Sequence, residues 1–146
     1  MMGICERYIN KDYFYFVFRV LVGLLFMQHG LQKMFGLFEG PGIPGFAGFL
    51  STLGFPAPIF FSYVAASIEL FGGLAIALGL FARLAAFIAT LELLIVYSLA
   101  HIPNGLIPIL NQGELALLYV ASFLVIMVFG AGKWSLEKVM LKKEVF

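Results

Sequence analysis

The chain has 146 residues, 62% of them hydrophobic and only 12% charged, where an ordinary globular domain is about 45–50% apolar and about 25% charged. A chain this short would leave much of that apolar surface facing water, so a bilayer is the expected cover. A formal net charge of +1 offers no basic field to nucleic acid, and the single cysteine, Cys5, excludes an intramolecular disulfide, a CxxC dithiol and a four-cysteine metal site made by this chain alone.

A helix crosses about 30 Å of hydrocarbon with about 20 apolar residues. Four stretches meet that length, at 13–33, 58–80, 84–101 and 114–130. Breakers bound them: Pro56 and Pro58 before the second, Gly79 to Arg83 after it, Pro103, Asn104, Gly105 and Pro108 after the third, and Gly130 and Gly132 after the fourth. Arg7 and Lys11 before the first run suggest a signal peptide, but Arg19 interrupts the run and no A-x-A-like cleavage site follows, so the segment is expected to be retained. In the loop at 34–57, Phe46, Phe49, Leu50 and Leu53 recur at helical spacing, which predicts a short interfacial helix over 44–53. The expected fold is an all-α integral membrane four-helix bundle with that interfacial helix, one domain over 1–146. Both termini and the 81–83 turn then share a face that carries Arg7, Lys11, Arg19, Arg83, Lys133, Lys138, Lys142 and Lys143 against Lys33 alone on the other, which predicts cytoplasmic termini.

Ionisable residues inside the spans are costly and are expected to face the bundle interior. Arg19, Gly23, Phe26, Gly30 and Lys33 form one stripe of the first helix; Glu69, Gly72, Gly73, Ile76, Gly79 and Arg83 form one of the second, where Gly73 and Ala77 permit close backbone approach. Counting the rise from the terminus face puts Arg19 about 7 Å deep, Glu92 about 13 Å, Glu69 about 18 Å, His29 about 22 Å, and Lys33, His101 and Glu114 about 27–28 Å. Opposite charges or hydrogen-bonding groups at similar depth then predict the pairs Arg19–Glu92, His29–Glu69 and Lys33–Glu114. Simpler accounts compete: Arg19 and Lys33 snorkelling to opposite interfaces, and Glu69 and Glu92 holding two helices in register. Asn111 reads as an N-cap with Glu114 at the third helical position. His29 and His101 lie toward one side, but no spacing fixes them as a haem pair, and haem is disfavoured. No metal site is expected.

The chain also resembles a known family. Arg19-Val-Leu-Val-Gly23-Leu-Leu-Phe26, His29-Gly30-Leu-Gln-Lys33, Leu53-Gly54-Phe-Pro56, Glu69-Leu-Phe-Gly72-Gly73, Leu78-Gly79-Leu-Phe-Ala-Arg83, Asn111-Gln-Gly-Glu114 and Gly130-Ala-Gly132-Lys-Trp-Ser135-Leu-Glu137 occur in the order and spacing of DoxX-like small membrane proteins. Glu137 stands where that family usually has Asp, and Glu92 matches no family position. The resemblance implies a bacterial inner-membrane protein, some of whose relatives are associated with quinone-linked oxidation or redox enzyme complexes. By motif it carries over Arg19, His29, Lys33, Glu69, Arg83 and Glu114, to which depth adds Glu92. Their implied role is to line a polar pocket among the helices, open toward the outer face, in which Lys33 and His29 hold an anionic or quinone-like headgroup and Glu69 exchanges a proton. A soluble or membrane redox partner would supply other chemistry, and a homo-oligomer is compatible. Two other roles fit the same residues: proton-coupled binding or transport of a small solute through Glu69 and Glu92, and a non-catalytic anchor for a soluble redox enzyme.

Overall fold

The computed structural model describes residues 10–142. Cys5, Arg7, Lys143 and Glu144 lie outside them, so the charge count can be followed on the fold only through the other basic residues.

Helix α1 (Lys11–Phe35) begins where the Asn10 side chain accepts from the Tyr13 N–H and ends at Gly36; of the expected stripe it buries Arg19, Gly23, Phe26 and Gly30, with Val22 beside them, while Lys33 is half-buried. The interfacial helix is present as α2 (Gly42–Thr52), with Ile43, Phe46, Ala47 and Leu50 turned inward. Helix α3 (Pro58–Leu78) carries a π-helical turn at Ile68–Gly72, and α4 (Ala82–Asn104) one at Tyr97–His101 before a 3₁₀ end. Such turns insert a residue into the helical repeat and re-aim the side chains around them. Helix α5 (Glu114–Phe129) follows an irregular segment, and α6 (Leu136–Leu141) is capped by Ser135, whose side chain accepts from the Lys138 N–H.

Among the described residues, α1, α3 and α4 are long and apolar enough to cross a membrane, and the protein is a multi-pass membrane protein by helix length and composition. The fourth expected span, 114–130, forms α5 with 16 residues, about 24 Å of helix against about 30 Å of hydrocarbon. It starts at Glu114 as expected, but its cap differs. The Asn111 side chain turns inward, donating to the Gly105 carbonyl at 2.7 Å and accepting from the Gly113 N–H at 2.8 Å. Gly113, not Asn111, therefore occupies the N-cap, and Glu114 is the first helical residue instead of the third.

With lipid on the outside, apolar contact gives little net drive to pair helices, so close backbone approach and packing must hold them. A Cβ on Gly23 would lie 2.7 Å from the Gly73 carbonyl oxygen, and one on Gly73 would lie 2.7 Å from that of Gly23. Helices α1 and α3 thus touch backbone to backbone, as the small residues predict. Helices α4 and α5 join this pair through Ala82, Ala86, Ala89, Phe123 and Ile126. The Phe26 and Phe123 rings meet edge to face at 4.9 Å, an arrangement their quadrupoles favour.

Candidate functional site

The intramembrane polar residues do not share one axis. They separate into a structural knot near the face where α1 begins and a cluster beside a cavity in the opposite half.

In the knot, Arg19 is 1% exposed and donates to the carbonyls of Ile76 and Trp134, both at 2.8 Å. Arg83 donates to the Met127 carbonyl at 3.0 Å. Ile76 and Met127 lie in the last turns of α3 and α5, where carbonyls lack intrahelical donors and the helix dipole favours a cation. Gly79 makes this possible: its φ of +67° closes α3, and a Cβ there would lie 2.7 Å from both Arg19 Cζ and Ser135 Cβ. The Glu137 N–H donates to the Gly79 carbonyl at 3.1 Å, tying the last segment to the same point. The expected Arg19–Glu92 pair is not formed. Arg19 finds carbonyl partners at its own depth, and Glu92 lies nine residues along α4 from Arg83, about 13 Å farther in.

In the opposite half, Lys33 donates to Glu69 Oε1 at 2.5 Å, and its ammonium stands 4.6 Å from the centre of the Phe46 ring. This replaces both remaining expected pairs. Lys33 meets Glu69 instead of Glu114, because Gly30 packs against the Leu70 backbone, its Cβ position 2.6 Å from Leu70 Cα, and so brings the π-helical turn holding Glu69 against the stripe of α1. The flexible lysine stem covers the depth difference. Glu114, at the start of α5, is exposed. His29 sets its ring edge-on to Tyr119 at 5.7 Å instead of bonding Glu69.

Helix α2 roofs a cavity of about 690 Å³ whose other walls come mainly from α3 and α4, with Lys33 of α1 and the segment at Asn111 and Gln112. Phe46, Phe49, Leu50, Phe61 and Ile95 make it mainly apolar, while Lys33, Glu92 and His101 reach it with polar groups. Glu92 is 8% exposed, and neither carboxyl oxygen has a hydrogen-bond partner; Glu69 Oε2 is likewise unpartnered. His101 stacks on Tyr97 and its Nδ1 lies 2.9 Å from the Asn111 carbonyl oxygen. A carbonyl only accepts, so Nδ1 carries a proton, and in the neutral ring Nε2 is then the acceptor. Of the two histidines, His101 lines the cavity and His29 does not.

Of the residues singled out in the sequence, Lys33, Glu69, His29 and Glu92 thus lie in the half that holds the cavity, Arg19 and Arg83 serve helix ends, and Glu114 stands apart. Sequence reasoning expects a polar pocket among these residues; it misses the mainly apolar chamber under α2 and the part Phe46 plays beside Lys33. Their signal is the row of Phe46, Phe49, Leu50 and Leu53, which as sequence reads as a short helix on the membrane or capping the bundle. Asn111 was noticed as a cap, but its position opposite His101 requires the fold.

Comparison with known proteins adds three findings. The DoxX family model matches residues 14–102. An uncharacterized protein of Haemophilus influenzae is 36% identical over 145 residues, covering 97% of this chain and 100% of that protein. "Putative oxidoreductase CatD" of Bacillus subtilis is 36% identical over 76 residues, 52% of this chain and 51% of its own length. No solved structure gives a significant match.

Proposed function

The chain belongs to the DoxX family, and from that premise we propose that it is a bacterial inner-membrane protein, cytoplasmic at both termini and a single domain throughout, that binds a quinone-like small molecule as a redox-associated subunit. The observation that carries this reading is the cavity under α2, about 690 Å³ with apolar walls and a few polar groups, which is the size and character of a small-ligand site. A flat aromatic head fits between the phenylalanines, with its polar edge toward Lys33 and Glu92. Lys33, held between Glu69 and Phe46, brings its amino group to the cavity wall, and Glu69, behind it, would exchange a proton with a ligand by way of Lys33. Electrons would come from a partner, since the chain has one cysteine and no nucleotide-binding loop. The name of the Bacillus subtilis relative, which covers half of this chain, supports a redox setting.

The test is purification in mild detergent, analysis of the co-extracted lipid for quinone, and equilibrium dialysis with 2-methyl-1,4-naphthoquinone. Ala65 lines the cavity, so Ala65→Phe should set a ring into it and weaken binding while the protein remains folded. A lipid extract free of quinone, together with no uptake of the probe, would rule the reading out.

A further inference from the structure

The cavity holds two polar groups whose hydrogen-bonding capacity is unspent, and both lack the same thing. Glu92 is 8% exposed with two oxygens unpartnered, in a wall that also contains Lys33 and His101. His101 has committed Nδ1–H to the Asn111 carbonyl, which in the neutral ring leaves an acceptor at Nε2. A buried polar group without a partner is costly, so whatever occupies the cavity gains most by supplying the missing partner. Lys33 is otherwise engaged, its ammonium on Glu69 Oε1 and against the Phe46 ring. It can still give a proton to a ligand oxygen.

We infer that the cavity selects ligands whose aromatic head carries hydroxyl groups, the hydroquinone form over the quinone, with Glu92 as the residue that accepts the hydrogen bond from the hydroxyl. The inference rests on the reading of this cavity as a site for quinone-like molecules and adds which form it retains and through which residue. The argument holds for either state of Glu92. An ionised carboxylate offers only acceptors, so a quinone carbonyl, itself only an acceptor, leaves it unsatisfied. A neutral carboxyl offers one donor and one acceptor oxygen; a carbonyl satisfies the first alone, whereas a hydroxyl satisfies both kinds of site. Beside Lys33 the contrast is the same: a hydroxyl oxygen accepts from the ammonium while its hydrogen goes to Glu92, and a carbonyl completes only half of that chain. Neither Lys33 nor His29, the groups first expected to grip a head, carries this discrimination. Glu92, which lies outside the family motif, does.

The experiment is equilibrium dialysis of the detergent-purified full chain, under anaerobic reducing conditions for the reduced probe, against three compounds of one skeleton: 2-methyl-1,4-naphthoquinone, its hydroquinone, and the dimethyl ether of that hydroquinone. The hydroquinone is expected to bind at least about tenfold more tightly than either of the others, the ratio expected of one hydrogen bond to a buried charged or polar group. Glu92→Leu, similar in volume and without polar atoms, should bring the three affinities within about twofold of one another. If that variant does not fold, the comparison of the three compounds on the unmodified protein still decides, since the quinone controls for size and the ether for the reduced ring. Equal binding of the three, or tighter binding of the quinone, overturns the selection by Glu92 and leaves the cavity as a quinone site. Failure of all three to bind overturns the quinone reading as a whole.

Discussion

The Lys33–Glu69 pair makes an asymmetric prediction. The Glu69 side chain is 4% exposed and that of Lys33 20%, so the two partners differ in what they can do when left alone. Removing one member of a buried ion pair costs about 3–5 kcal/mol, because the other is stranded. Lys33→Met strands Glu69, whose short side chain cannot reach an interface, and should cost about 3 kcal/mol, toward the low end because the carboxyl can take up a proton. Glu69→Leu strands Lys33, which is partly exposed and can extend its stem toward the nearby membrane surface, so the loss should be about 1 kcal/mol. The double variant removes both charges and leaves apolar groups in an apolar setting, at a cost of about 0–1 kcal/mol. The two single losses therefore exceed the double by about 3 kcal/mol, a coupling within the range known for contacting residues. Equilibrium unfolding in mixed micelles, followed by far-ultraviolet circular dichroism, measures all four proteins. A Glu69→Leu loss as large as that of Lys33→Met, or single losses that simply add, would refute the claim that this is a desolvated pair with one mobile partner.

Three further outcomes follow from the same geometry. Gly73→Ala places a Cβ 2.7 Å from the Gly23 carbonyl oxygen, so α1 and α3 must separate, and stability should fall by about 1–3 kcal/mol in the same unfolding assay. Glu92→Leu removes a buried carboxyl with no partner and should raise stability by about 1–2 kcal/mol, although it is predicted to erase ligand selection; a loss of stability would mean that Glu92 is already satisfied in the unliganded protein. For orientation, Glu39→Cys and Lys133→Cys on a Cys5→Ser background place thiols on opposite faces. A membrane-impermeant maleimide should label position 39 in intact spheroplasts and position 133 only after permeabilisation, and the reverse pattern would overturn the cytoplasmic assignment of the termini.

What could be read from the chain before folding follows from how far each signal reaches. Helix length, the breakers at Pro58 and Gly79, and the stripe from Arg19 to Lys33 are local, periodic features, and the structure reproduces them within a few residues. The approach of Gly23 to Gly73 was legible for a related reason: small residues at helical spacing leave room that only another backbone can fill. Pairing was not legible, because depth along a helix is one coordinate and a partner is fixed by three. Arg19 and Glu92 share a half of the bilayer by count, yet Arg19 spends its protons on two carbonyls that no tally of charged residues would include. Lys33 and Glu69 looked far apart in depth, and the π-helical turn at Ile68–Gly72 together with the lysine stem removes the difference.

The cavity shows the same limit from the other side. Its walls are drawn mainly from α2, α3 and α4, with Lys33 of α1 and Asn111 before α5, so its volume exists only once those separate segments are placed, and each of the three helices alone reads as ordinary apolar helix. The residue that distinguishes the chamber, Glu92, carried no motif and drew notice only because a carboxyl at that depth is expensive. That expense is the useful observation. Arg19 and Arg83 also sit within apolar helices, but their donors reach carbonyls, and their burial is explained by the fold they hold together. Glu92 receives no such compensation from the described chain. A group kept in the membrane without a partner in the protein is explained by a partner that comes from outside it, which is why the functional reading belongs at the cavity and not at the arginine knot.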